Sequence, residues 1–294
     1  MGKYGIISKM KITKAVIPVA GFGTRFLPVT KALPKEMLPV VDKPVVQYIV
    51  EELVASGITD IIFVTGQNKR AIEDHFDFHP ELESWLEKSG KAKALLQIRE
   101  IATLANFIYI RQKGPYGNGT PVLNAQHLIG EEPFVVVFGD DLFVGAQPRC
   151  AQLLETFEKY QNPVLGAVEI DDEGTRRYGV VEGEEIEPTV YKLDKVLEKP
   201  GPVATQSRIG ATAGYVLTAD IFEELKNTPI REGELWLPDA IENLRQKRAV
   251  YAKKVDSTYY DIGSKLGWYQ ANTELGLARA DLNGELKKLL QRLL

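Results

Sequence analysis

The sequence predicts an α/β fold built on a parallel sheet, continued by a β-rich part and closed by helices. Three observations carry this. Ala15-Val16-Ile17-Pro18-Val19 is an apolar β-type run, Pro44 to Ser56 is apolar at helical spacing, and Asp60 to Thr65 is a second buried-type run. Strand, helix and strand thus arrive within about 50 residues, as in a right-handed βαβ crossover. From Tyr178 to Leu217 the pattern shifts to short β runs, and Leu282, Leu286, Leu289 and Leu293 mark one stripe of a closing helix.

The elements follow in order. Residues 1–12 read as a leader without the apolar centre of a signal peptide. The helix from Pro44 presents Val45, Tyr48, Ile49 and Leu53 on one face and stops at Gly57, a C-cap signal. Helices are predicted over Lys69–Phe76, Pro80–Ser89, Pro121–Leu128, Pro148–Tyr160, Ile221–Lys226 and Leu237–Lys247. Strands are predicted at Phe107–Arg111, Phe134–Phe138, Val164–Ile170, Gly179–Val181, Tyr191–Leu197, Ala213–Leu217 and Val250–Val255. One long helix or two should end the chain.

Composition bounds the function. The 294 residues are 44% hydrophobic and 26% charged with a net charge of −4, ordinary for a globular protein and without the basic excess that nucleic acid or an anionic membrane would call for. No apolar run approaches the roughly 20 residues of a membrane span. The single cysteine, Cys150, excludes an intrachain disulfide and suits a reducing cytoplasm.

The chemistry concentrates in Ala15 to Pro44. After the first strand come Ala20, Gly21, Gly23, Thr24 and Arg25, and then Lys35-Glu36 inside Pro34-Lys35-Glu36-Met37-Leu38-Pro39. Glycines admit close backbone approach and their N–H groups can face anionic oxygens. Arg25 offers a planar fork of donors and Lys35 a mobile charge, both suited to phosphate. Prolines 28, 34, 39 and 44 stiffen the loop. Gly-x-Gly alone is equally an ordinary strand–helix turn. The dinucleotide fingerprint is missing its third glycine, since Phe26 stands there, and the P-loop Gly-Lys-Ser/Thr is absent. A triphosphate-binding loop is the reading that also uses the two cations. Asp140-Asp141 follows a buried strand, which is a place for a hard cation and equally a solvated turn. His75 and His79 are spaced i, i+4, but Pro80 makes a helix end the better reading than a metal site. No Ser-His-Asp or Cys-His arrangement is present.

The pattern Gly-x-Gly-Thr-Arg-x-x-Pro-x-Thr, then Pro-Lys-Glu-Met-Leu-Pro-Val and Asp-Lys-Pro, resembles the signature of sugar-phosphate nucleotidyltransferases. The Pro-Lys-Glu-Met form with Tyr48 is most similar to the bacterial UTP–glucose-1-phosphate uridylyltransferases. The resemblance runs in pieces from about Lys14 to the final helices. It implies a Rossmann-like three-layer nucleotidyltransferase fold with a mixed central sheet, a β-rich sugar-binding part and C-terminal helices. The corresponding domain is 13–265, divided near 162 into nucleotide-binding and sugar-binding parts, followed by a helical segment over 266–294.

The resemblance also implies roles. Ala20, Gly21, Gly23, Thr24, Glu36, Gln112 and Gly117 would bind the nucleotide, with Gln112 and Gly117 reading uracil. Gly179, Glu198, Gly214, Tyr215 and Glu234 would bind the sugar, and Lys199 its phosphate. Asp140 and Asp261 would hold Mg²⁺. Arg25, Lys35 and Lys199 would carry the charge work of catalysis, on UTP and glucose 1-phosphate, in a cytoplasmic homo-oligomer, dimer or tetramer. Two places depart from the family pattern. Gly117-Asn118-Gly119-Thr120-Pro121 replaces Gly-Leu-Gly-His-Ala, and Trp236 replaces a polar residue. A dTTP-dependent enzyme of the same chemistry, or a non-catalytic nucleotide-sugar sensor, remains open at this level.

Overall fold

The computed structural model of the protein describes residues 11–293. Apart from Lys11 and Ile12, the expected leader lies outside them; Ile12 is buried.

The sheet alternates with helices as the chain advances. Strand β1 (Lys14–Pro18) leads through three single-turn 3₁₀ segments to α1 (Val45–Ala55) and β2 (Asp60–Thr65). Helices α2 (Arg70–His75), α3 (Pro80–Lys88) and α4 (Ala92–Ala102) precede β3 (Asn106–Arg111). Then come α5 (Gly119–Asn124), α6 (Gln126–Ile129), β4 (Phe134–Val136), α7 (Arg149–Tyr160) and β5 (Val164–Glu169). The β-rich part holds α8 (Gly174–Arg177), β6 (Gly179–Glu187), β7 (Val190–Glu198), β8 (Ile209–Gly210) and β9 (Tyr215–Leu217). Helices α9 (Ile221–Asn227) and α10 (Leu237–Arg245), β10 (Tyr251–Lys254), α11 (Lys265–Ala278) and α12 (Asn283–Leu293) complete the chain.

Ten strands form one mixed sheet in the order β8-β6-β7-β10-β5-β9-β4-β1-β2-β3. The β1, β2, β3 and β4 pairings are parallel, as is β5 with β10; β6, β7, β8 and β9 pair antiparallel. Both faces are covered. On β2, Ile61 and Phe63 belong to one buried cluster and Ile62 and Val64 to the other. Val46, Ile49 and Leu53 of α1 fill the first cluster, and Val122, Phe222 and Ile241 of α5, α9 and α10 the second. This is the three-layer arrangement, since a strand apolar on both faces needs helices on each.

Some boundaries differ from the sequence pattern. Helix α4 contains no fully buried residue, so its core-facing stripe is faint in sequence. The β6–β7 hairpin runs through Glu182, Glu184, Glu185 and Glu187, residues poor in strand propensity, because an exposed hairpin can carry them on its solvent face. The expected Pro121–Leu128 helix is two short helices that meet at Ala125. A separate two-stranded pair, Asp141–Val144 against Thr258–Asp261, begins at the second aspartate. The chain ends in two helices rather than one. His75 ends α2, and its Nε2 lies 2.9 Å from Gln47 Oε1; His79 precedes α3, and its Nδ1 accepts from Leu82 N–H. Among the described residues no helix is long and apolar enough to cross a membrane.

Candidate active site

The carboxyl ends of β1 and β4 open onto a cavity of about 400 Å³ lined by Ala20, Gly21, Lys35, Glu36, Gln112, Gly117, Asn118, Asp140 and Glu234, among others. Strand ends are where an open α/β sheet presents ligand-binding loops. The proline-rich loop after β1 turns back on itself: Gly23 adopts φ 67° and its carbonyl accepts from Thr30 Oγ1 at 2.7 Å. The turn leaves Gly21, Thr24 and Arg25 exposed.

Lys35 Nζ lies 2.6 Å from Asp140 Oδ2. Burial works against the lysine's charge, but Asp140, Glu36 and Asp141 together outweigh it and hold its pKa above the ordinary value. Glu36 is fully buried, and its Oε2 accepts from Lys69 Nζ at 2.7 Å. Among the described residues its Oε1 has no hydrogen-bond partner. Burial raises the Glu36 pKa, with Lys69 and Lys35 opposing.

Asp140 and Asp141 face different partners. Asp141 accepts from Tyr259 Oη at 2.9 Å, and burial, then Asp140, push its pKa up to about 7. Behind it, Arg149 is buried, with its guanidinium 4.3 Å from the centre of the Phe143 ring and Nε 3.1 Å from Glu52 Oε2. Asp140 instead approaches Asp261 across Gly263. A Cβ on Gly263 would lie 2.7 Å from Asp140 Oδ2 and 3.0 Å from Asp261 Oδ1. The glycine therefore leaves open the space between two carboxylate oxygens, a hard-oxygen donor pair suited to a divalent cation. Asp261 Oδ2 also pairs with Arg177, and Arg25 reaches the Gly263 carbonyl at 3.5 Å.

One wall of the cavity is built by pairing two loops. Tyr116 N–H donates to the Gly233 carbonyl at 3.1 Å, Leu235 N–H to the Tyr116 carbonyl at 2.8 Å, and Gly119 N–H to the Leu235 carbonyl at 2.9 Å. Gly117, at φ 102°, is required here: a Cβ would lie 2.3 Å from the Leu235 carbonyl oxygen. This pairing brings Glu234, expected beside the sugar, into the same cavity wall as Gln112 and Gly117. Phe22 and Tyr116 meet at the mouth with their ring centres 5.6 Å apart and their planes tilted by 59°.

Glu198 and Lys199 stand at the end of β7. A Cβ on Gly179 would lie 3.5 Å from Glu198 Oε2. Lys199 Nζ is 3.0 Å from Glu198 Oε1, and burial raises the Glu198 pKa against the pull of that lysine. At Gly214, φ 86°, a Cβ would lie 2.8 Å from the Val136 carbonyl oxygen, so only glycine fits. Tyr215 turns into the core against Phe138, its hydroxyl donating to the Ala211 carbonyl at 3.4 Å. Lys69, Arg177, Tyr259 and Asn118 escape sequence reading. Each acts through a contact 33 to 119 positions away, and no local motif announces them.

Known proteins share this fold. Residues 14–276 match the family described as nucleotidyl transferase. The chain is 45% identical over 284 residues, 96% of each sequence, to the UTP–glucose-1-phosphate uridylyltransferase YngB of Bacillus subtilis. It is 43% identical over 285 residues to a second uridylyltransferase of that organism, covering 97% of this chain and 98% of the relative. A UTP-bound UGPase from Acinetobacter baumannii superposes with a TM-score of 0.89 at 37% identity, over 97% of this chain and all (100%) of that one. A UDP-glucose pyrophosphorylase complexed with UDP-glucose superposes with a TM-score of 0.84 at 37% identity, over 92% of this chain and 100% of that one. With a family match over most of its length and relatives this similar end to end, the chain belongs to the nucleotidyl transferase family.

Proposed function

We propose that this protein transfers the uridylyl group of UTP to α-D-glucose 1-phosphate, giving UDP-glucose and pyrophosphate. The observation that carries the reading is the Lys35–Asp140 pair, 2.6 Å apart in the wall of the cavity that Gly21, Gln112 and Gly117 also line. Nucleotide phosphates need cations and a hard-metal ligand beside the base pocket, and this cavity presents both. The similarity to uridylyltransferases of 43–45% identity supports the substrates.

A sugar phosphate has a second pKa of about 6, so its attacking oxygen is largely anionic at neutral pH and requires no general base. What the chain must supply is alignment for in-line attack at the α-phosphorus and compensation of charge. Lys199 holds the attacking phosphate, and Glu198, beside Gly179, accepts from sugar hydroxyls. Arg25 and Lys35 stabilise the departing pyrophosphate. Gln112 and the backbone of Gly117 read the base edge, with Ala20 and Gly21 opposite.

Asp140 and Asp261 are the residues that would hold Mg²⁺, their oxygens flanking Gly263. Among the described residues no three acidic, imidazole or thiol groups form a metal cage. Two carboxylates completed by phosphate oxygens and water match the way Mg²⁺ is held at phosphate sites. When bound it supplies charge neutralisation of the triphosphate.

In this reading the domain over 13–265 divides near 162 into nucleotide and sugar parts that share one sheet. The protein works in the cytoplasm, where UTP is made. It assembles as a homo-oligomer, with exposed Leu289 and Leu293 on α12 supporting a contact between copies. A pyrophosphate-release screen over nucleoside triphosphates and hexose 1-phosphates tests the function. UTP with glucose 1-phosphate should give the highest kcat/KM. Preference for dTTP, or tight UDP-glucose binding without turnover, overturns it.

A further inference from the structure

Asn118 and Trp236, both in segments that depart from the family's usual sequence, meet at one place. Asn118 Oδ1 accepts from Leu237 N–H at 2.8 Å, satisfying one of the free donors at the start of α10. Leu237 is the first residue of that helix, and Trp236 is the residue before it. The Trp236 indole lies under Lys199, with Nζ 4.2 Å from the ring centre. Farther along the same helix, Glu242 Oε2 accepts from Val196 N–H at 3.0 Å, so α10 is tied to the strand that carries Lys199.

We infer that Trp236 is a positioning residue that sets affinity for the sugar phosphate by holding the Lys199 ammonium, and that Asn118 sets Trp236 from the nucleotide loop. The inference rests on the proposed role of Lys199. A lysine has four rotatable bonds and loses that freedom when it binds an anion. Here the ammonium is already confined between the Glu198 carboxylate at 3.0 Å and an aromatic face. Part of the ordering cost is therefore met before the phosphate arrives. Lys199 also adopts φ 45°, a conformation uncommon outside glycine, at the close of β7. The path Asn118 to Leu237 N–H to Trp236 to Lys199 runs from the base pocket to the sugar-phosphate site through one hydrogen bond and one ring.

The test measures pyrophosphate release with purified full-length protein, varying glucose 1-phosphate at saturating UTP and the converse. Trp236→Leu should lower kcat/KM for glucose 1-phosphate about three- to thirty-fold, the range of a partly desolvated cation–π contact, and leave the KM for UTP unchanged. Trp236→Phe, which keeps a weaker ring, should fall between. In a Lys199→Ala background Trp236→Leu should have no further effect, and Asn118→Ala combined with Trp236→Leu should lose no more than Trp236→Leu alone. Thermal melting of each variant reports whether the fold is intact. An effect of Trp236→Leu that persists without Lys199, or that falls equally on UTP and glucose 1-phosphate, overturns the inference. So does wild-type kcat/KM in Trp236→Leu. Failure of the wild-type protein itself to use UTP and glucose 1-phosphate would instead overturn the proposed function.

Discussion

Lys35 and Asp140, 105 positions apart in the chain, are joined by a 2.6 Å contact between Nζ and Oδ2. The pair closes the gap between the loop after β1 and the turn after β4, adjacent parallel strands of the sheet. The two neighbouring aspartates differ in their surroundings. Asp140 faces the cavity and Lys35, while Asp141 faces Tyr259.

Asp140→Asn should therefore remove most activity and leave a residue that needs more Mg²⁺, because the amide lacks the charge that retains a hard cation. Asp141→Asn should be mild, since the amide still accepts from Tyr259 and relieves repulsion with Asp140. Rate measured against Mg²⁺ concentration for both variants decides this. A severe Asp141→Asn beside a mild Asp140→Asn would place the ligand one residue later.

Gly263→Ala should abolish most turnover without unfolding the protein. Its methyl would sit 2.7 Å from Asp140 Oδ2 and 3.0 Å from Asp261 Oδ1, within the space that a cation would share. Circular dichroism and pyrophosphate release, measured together, check it. An active Gly263→Ala enzyme would mean that the two carboxylates do not cooperate.

Lys69→Ala should destabilise the fold by about 3–5 kcal/mol, because Glu36 would remain buried without its partner. Urea denaturation gives the value through the midpoint at constant slope. Adding Glu36→Gln should recover part of the loss, and a double variant no better than Lys69→Ala would show that the cost is not an unpaired charge.

Stability should fall as the pH drops below about 6.5. Burial lowers the pKa of His75, with Glu51 opposing, so the folded state holds its imidazole neutral where the unfolded chain takes up a proton. The unfolded state then binds more protons, and the contribution is complete above the unfolded pKa and lost as pH falls through the folded one. Urea midpoints at pH 7.5 and 5 should differ less in His75→Asn than in the native protein. An equal midpoint difference between the two pH values in both proteins would assign the acid sensitivity to other groups.

Much of this was legible in the linear chain because it is local. The strand–helix–strand opening follows from apolar periodicity over β1, α1 and β2, where neighbours in sequence share one buried face. The Gly-x-Gly turn, Lys35, Asp140 and Glu198-Lys199 each carry their signal within a few residues. The β6–β7 hairpin was legible only in part, since its glutamates satisfy an exposed edge rather than a propensity. Tertiary structure alone decided that Asp141 faces Tyr259, that Glu234 reaches the wall beside Gln112, and that Trp236 lies under Lys199. It also supplied Lys69 to the buried Glu36. The physical reason is the same in each case: a side chain's spacing in sequence determines the face it occupies on its own strand or helix. Its charge partner, its desolvation and the group it positions depend on what another segment, dozens of residues away, brings against that face.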